Sequence, residues 1–585
     1  MLKPYCVIAV GLFSIPILLQ RLSKCSKIEK YFEKGMSEMD NKELANLLFP
    51  DVTKTPEYYE ELYPKRNLPE GAIVTRFAPS PTGFIHIGGL YASLIAERNA
   101  HQSGGVFFLR IEDTDKKREV ADGVSQIINV LRDFNVNFDE GVIGENETDV
   151  GAYGPYTQSK RADVYRTFAK KLVEEGKAYP CFCTEEQLEL TRKRQEAVKA
   201  RTGYYGQWAV DRNLSNDEIV EKINQGLKFV VRMRSPGVNN RKILHKDLIH
   251  GKVEFPENDI DHVIIKSDGI PTYHFAHVVD DHLMRTNLVI RGDEWLSSIP
   301  VHLQMFATMG WEPPKYAHIS PIMKKEGETK RKLSKRKDSE AAVSYYFEEG
   351  YPNVAVTEYL LNIANSSFEP WRRSNPMTPY TEFQIKLSDM NASGALFDLV
   401  KLNDISKDVI SKMTGEEVYS YTKEWAEKFD SELHEMLTRN KEYAVKMFSI
   451  EKGGNKPRKD IGKWSDVKNQ ISYFFEDKFD HQYDFSEKIS EEDRKAILNA
   501  YLETYVFDDE KQVWFDKIKA ICDKLGFASN NKDYKANPDQ YKGNISDVSN
   551  VIRVALTGRQ MSPDMYEIMQ VMGKEATIKR IRECL

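Results

Sequence analysis

The apolar positions of this chain first group as a short β-branched run, Gly71-Ala72-Ile73-Val74-Thr75, which predicts a buried strand. Ile87, Leu90, Tyr91, Leu94 and Ile95 then recur at helical spacing, and Gly104-Gly105 ends that helix. Val106-Phe107-Phe108-Leu109-Arg110-Ile111 returns to strand character. A further helix places Val120, Val124, Ile127, Ile128 and Leu131 on one face. From about Tyr179 the pattern changes. Thr184 and Gln187 form a capping-box pair ahead of a basic helix through Arg192, Arg194, Lys199 and Arg201, and strand-like KFVVRMR and KVEF follow. The sheet resumes with residues 262–266, a Ser-Asp-Gly turn and residues 271–277, and 288–291 is a buried strand ending at Gly292-Asp293-Glu294-Trp295. Beyond about residue 345 the pattern is helical throughout. The whole reads as an α/β Rossmann-type parallel sheet with an insertion between its halves, followed by all-α bundles.

A length of 585 residues suggests about four domains and an ample core. The net charge of −6 is unusual for a bulk polyanion binder, so any RNA contact must use local basic surfaces. Six cysteines, scattered apart from Cys181-Phe182-Cys183, do not form a disulfide framework and fit a reducing compartment. Between Lys3 and Arg21 the chain is uncharged, but this stretch is short for a membrane span and Pro16 interrupts it. A targeting segment and an upstream start ahead of Met36 or Met39 both fit it.

Candidate chemistry concentrates where strands end. The loop Arg76 to Gly89 joins the first strand to its helix, whose N-terminus is an anion site in which Gly88 and Gly89 permit close approach and His86 offers a donor. Glu112, Asp113 and Asp115 follow the second strand, where ligands of parallel sheets bind. Arg291 ends a buried strand, a costly place for a charge without a partner. His277 taken alone is more often structural. The run Lys330 to Lys337 is the densest positive cluster.

RFAPSPTGFIHIGG, RIEDTD, GPYTQSKR, PTYHFAHVVDDHLM, IRGDEW, KRKLSKRK and RVALTG occur in that order. Together they resemble the class I aminoacyl-tRNA synthetases, in the bacterial-type glutamyl form, over the chain beyond residue 70. The resemblance implies a ligase that activates L-glutamate with ATP and Mg²⁺ and charges tRNA-Glu, with tRNA-Gln left open. It places ATP near Thr82, His86, Gly88, Gly89, Glu294, Trp295 and Lys335, with His86, Lys332 and Lys335 catalytic. It places glutamate near Arg76, Ala78, Ser80, Glu112, Tyr273, His277 and Arg291. Many relatives carry Asn at position 277, so His277 departs from the pattern. No zinc is expected, because residues 203–208 offer no Cys or His to complete a site with Cys181 and Cys183.

The implied domains are an extension (1–35), an arm (36–70), a catalytic domain in two halves (71–180 and 257–345), an inserted acceptor-stem-binding domain (181–256), a stem-contact region (346–400) and a helical anticodon-binding domain (401–585). The implied location is cytoplasmic, or organellar if residues 1–35 are a transit segment, with no stable membrane association. The alternatives are a glutaminyl-tRNA synthetase, a tRNA-modifying paralogue and a non-catalytic tRNA-binding relative. Glutaminyl enzymes typically show a PPEPNG-like loop where this chain has APSPTG.

Overall fold

The structure is a computed structural model and describes residues 39–83, 85–114, 120–144, 147–454 and 456–585. The 1–35 extension, Phe84 of the first loop and Asp115 of the acidic turn lie outside the described residues.

Strands β1 (Val74–Phe77), β2 (Val106–Leu109) and β3 (Glu140–Gly141) form a parallel sheet in the order β1-β2-β3. The helix Ile87–Gln102 makes the crossover from β1 to β2 and buries Leu90, Leu94 and Ile95 against them. Further along the chain, β9 (Leu288–Gly292) and β10 (Lys315–Ile319) form a second parallel pair. The two pieces meet at Asn287, just ahead of β9. Its side chain accepts the Val74 N–H at 2.8 Å and donates to the Ala72 carbonyl at 2.9 Å, while its backbone N–H donates to the Val74 carbonyl at 3.2 Å. Past this clamp β1 and β9 share no ladder, and the seam opens towards the carboxyl ends of the strands.

Between the halves lie β4 (Ala178–Cys181), β5 (Val230–Met233) and β8 (Val263–Ile265), ordered β4-β5-β8 and antiparallel. The hairpin β6 (Lys242–Asp247) and β7 (Gly251–Pro256) stands beside them. A second hairpin, β11 (Ile322–Glu326) and β12 (Thr329–Lys332), delivers the KLSKR segment. One apolar core joins the arm, both half-sheets and the helices up to Leu402. The C-terminal region has two cores of its own, one over residues 410–479 and one over residues 489–581. No described helix is long and apolar enough to cross a membrane.

The local pattern misled in places. Residues 271–277 do not continue the sheet: a helix spans Tyr273–Leu283, because Phe275, Val278, Val279 and Leu283 recur at helical spacing and are buried. Val120 precedes its helix, Gly123–Asp133, and is exposed. The basic helix of the insertion does start at a Thr184–Gln187 capping box but ends at Ala197. Lys199 takes a positive φ of 55° and Arg201 pairs with Asp259 instead.

Candidate active site

The seam between β1 and β9 widens into a cavity of about 1120 Å³. Its walls include Arg76, Ala78, Ser80, Thr82, His86, Gly88, Gly89, Glu112, Tyr273, Arg291, Glu294, Trp295 and Lys332. Residues far apart in sequence therefore converge because two parallel pieces present their carboxyl ends to one gap.

His86 is the N-cap of the helix Ile87–Gln102: its Nδ1 accepts the Gly88 N–H at 2.9 Å. That bond places the ring proton on Nε2. Burial first, then Lys335, lowers its pKa, opposed by a hydrogen bond to the Leu333 backbone, so the ring is neutral. The N–H groups of both glycines are engaged within the turn. Gly88 is capped by the histidine, and Gly89 donates to the His86 carbonyl at 2.7 Å. A Cβ on Gly88 would lie 3.1 Å from His86 Nδ1, so glycine leaves room for the ring.

The first-half floor is a lattice of paired charges. Arg76 Nε donates to Asp281 at 3.2 and 3.3 Å, Arg110 reaches Asp281 at 2.7 Å and Glu112 at 3.0 Å, and Arg161 reaches Asp280 at 2.7 Å. Burial alone would raise the Asp281 carboxyl, yet Arg76 and Arg110 hold it well below the usual range. Burial pushes Glu112 up despite Arg110 and Arg76. Gln158 donates to Glu112 at 3.4 Å and to Asp280 at 3.0 Å.

Arg291 sits differently. Its Nε donates to His318 Nε2 at 3.1 Å, NH1 to the Tyr273 hydroxyl at 3.4 Å, and NH2 to the Trp295 carbonyl at 3.4 Å and His302 Nδ1 at 3.3 Å. Its guanidinium also lies 5.1 Å from the Tyr316 ring centre.

Two expected residues do not line the cavity. His277 is fully buried one layer behind it, with Nδ1 3.0 Å from Asp281 and Nε2 3.2 Å from the Tyr316 hydroxyl. Lys335 lies close enough to His86 to depress its pKa but is not part of the wall. Lys332 sits 3.6 Å from Glu294 across the cavity mouth. Arg331 and the Ser334 N–H both engage Asp338, which steadies the KLSKR turn. Sequence reasoning missed Arg110, Asp280, Asp281, His302, Tyr316 and His318. The one available signal was polar residues inside otherwise apolar runs, as in HVVDD.

In the insertion, Cys181, Cys183 and Asp211 place ligand-type atoms within 4.8 Å of one another. The Tyr204 hydroxyl lies 3.4 and 3.5 Å from the two sulfurs. Asp211 lay beyond the stretch searched by spacing.

Residues 72–377 match the family described as tRNA synthetases class I (E and Q), catalytic domain. The chain belongs to this family. Its residues 456–585 match an anticodon binding domain. A glutamate–tRNA ligase of Clostridium perfringens strain SM101 is 53% identical over 551 residues, covering 94% of this chain and 100% of that protein. One from Sorangium cellulosum strain So ce56 is 44% identical over 569 residues, covering 92% and 100%. Among solved structures, a glutamate tRNA ligase from Elizabethkingia meningosepticum, in complex with its amino acid, matches with a TM-score of 0.69 and 27% identity, covering 88% of this chain and 99% of that one. Class I synthetases use ATP with Mg²⁺.

Proposed function

We propose that this chain is a glutamate–tRNA ligase, acting on L-glutamate, Mg·ATP and tRNA-Glu. One observation carries the choice of amino acid. Three buried guanidiniums of the floor (Arg76, Arg110, Arg161) face three carboxylates (Asp280, Asp281, Glu112), whereas Arg291 faces the cavity with no carboxylate within ion-pair distance among the described residues. A buried charge of that kind suits an anionic side chain, and the guanidinium fork matches a carboxylate better than an amide. Glu112 is a carboxylate of the wall on the β1 side and suits the α-ammonium group.

In the first step the glutamate α-carboxylate attacks the α-phosphorus of ATP, the bond to the β-phosphate oxygen breaks, and pyrophosphate leaves. The terminal ribose hydroxyl of tRNA then attacks the activated carbonyl and AMP departs. The protein's part is positioning and charge stabilisation. The His86 helix end, Thr82, Gly88, Gly89, Glu294 and Trp295 hold ATP, and Lys335 with Lys332 neutralises charge on pyrophosphate. Arg76, Ala78, Ser80 and Tyr273 complete the glutamate subsite, with His277 supporting it from behind. The expectation of no zinc rested on two ligands; Cys181, Cys183 and Asp211 together offer three, one short of a closed tetrahedral protein site. The enzyme is cytoplasmic.

The test is pyrophosphate exchange with tRNA present, using glutamate and glutamine in parallel, followed by charging of tRNA-Glu and tRNA-Gln. Glutamate-dependent exchange and charged tRNA-Glu are expected. Exchange with glutamine alone, or none with either amino acid, would overturn the assignment; charging of tRNA-Gln as well would broaden it.

A further inference from the structure

Arg291 is only 7% exposed, and an arginine buried without an anion is normally expensive. Neutral groups hold it here. His318 lies directly across from it in the β9–β10 register. His318 Nδ1 is 2.7 Å from Asp247 Oδ2, so that nitrogen carries the proton and the Nε2 lone pair is left for the Arg291 Nε–H. Asp247 is itself fixed by the Ile249 and His250 N–H groups, each at 2.9 Å. On the other side, His302 Nδ1 accepts from Arg291 NH2, which leaves its Nε2–H to donate to His274 Nδ1 at 2.9 Å. Each ring is therefore oriented, and its tautomer set, by a partner on a different element. His302 and His318 are both fully buried, and burial keeps both neutral.

We propose that His302 and His318 are positioning residues for amino-acid selection, fixing the Arg291 guanidinium through neutral acceptors so that no carboxylate contacts it and its charge is presented to the substrate carboxylate. A carboxylate at either place would hold the arginine equally well and cancel the charge that tells glutamate from glutamine. A water or hydroxyl would leave the charge but not the direction. Tyr273 and the Tyr316 ring complete the cradle without adding an anion. The inference rests on Arg291 being the reader of the side-chain carboxylate.

The experiment compares full-length variants by pyrophosphate exchange with tRNA present, after thermal unfolding has shown that each is folded. His318→Phe should raise the glutamate KM about 10–100-fold, the range of a lost charge-assisted hydrogen bond, with kcat and the ATP KM little changed. His318→Gln, which retains an acceptor near the Nε2 position, should recover most of that loss. His302→Gln and His302→Glu have nearly the same shape and separate charge from packing. The Gln variant should keep the preference for glutamate, and the Glu variant should shift it towards glutamine. If His318→Phe and His302→Glu fold and retain wild-type KM and preference while Arg291→Gln loses both, the positioning role is overturned and the reading of Arg291 survives. If Arg291→Gln also retains them, the glutamate assignment of the site fails, and this inference with it.

Discussion

The two sides of the cleft treat their arginines in opposite ways. On the β1 side, Arg76 and Arg110 converge on the fully buried Asp281 and Arg110 also pairs with Glu112, so two guanidiniums face two carboxylates. On the β9 side, Arg291 is held by histidines, a tyrosine hydroxyl and a backbone carbonyl, and its charge is left over. Arg76 and Arg291 both touch the same cavity, and each is the last residue but one of a parallel strand. Position in the fold is therefore not enough to assign a role. The partner decides whether a buried charge builds structure or reads a ligand.

This contrast can be broken most strongly through the shared carboxylate. Asp281→Asn leaves two buried guanidiniums short of an anion and should cost about 3–5 kcal/mol of stability, read as a lower urea midpoint at unchanged slope. Arg291→Gln strands no carboxylate, and its unfolding free energy should change by less than about 1 kcal/mol. A large loss in the second variant would mean that Arg291 is structural too.

A second test separates amino-acid reading from phosphate handling. His86→Ala removes the neutral donor at the helix start and should slow adenylation by about 10²-fold, the scale of one lost transition-state donor, with glutamate binding little changed. Near-normal pyrophosphate exchange in this variant would remove His86 from the triphosphate site.

The smallest expected effect is in pH dependence, and its sign differs between the two sides. Near β9, burial pushes His277 down to about 3 and His274 to about 4, so both are neutral in the folded protein. The unfolded chain takes up these protons below about pH 6.5, so this contribution is complete above that pH and is lost as pH falls towards 4 and 3. On the β1 side, hydrogen bonds to Asp139 and Glu97 raise His101 to about 9. Its contribution is complete below about pH 6.5 and fades as pH rises through 9. Urea midpoints measured across pH should show the acid limb flattened in His274→Gln and the alkaline limb flattened in His101→Gln.

Much of this was legible in the chain. The β1 loop, the acidic turn, Arg291 and the basic hairpin are local features, each with a turn, a glycine or a strand end to mark it. The walls of the cavity could thus be named before their distances were known. What stayed hidden is what partners them. Nothing near Arg76 in sequence points to Asp281, and nothing near Arg291 points to His318, because β10 becomes its neighbour only through sheet register. The helix Tyr273–Leu283 was hidden for a related reason. Its N-terminal residues PTYHFAH alternate apolar and polar groups in a strand-like way, and only the continuation to Leu283 reveals the helical stripe. His277 was placed at the wall by the resemblance alone; in the structure it is fully buried behind it, on the same helix as Tyr273.

The central claim is that the unopposed charge of Arg291, rather than the paired charge of Arg76, tells glutamate from glutamine. The direct measurement is the ratio of kcat/KM for the two amino acids in the wild type, Arg76→Gln and Arg291→Gln, by pyrophosphate exchange with tRNA present. Arg291→Gln should lose about 10³-fold in kcat/KM for glutamate and bring the ratio close to one. Arg76→Gln should lose about tenfold and keep most of the preference. A wild-type ratio in Arg291→Gln, or a collapse confined to Arg76→Gln, would contradict the account.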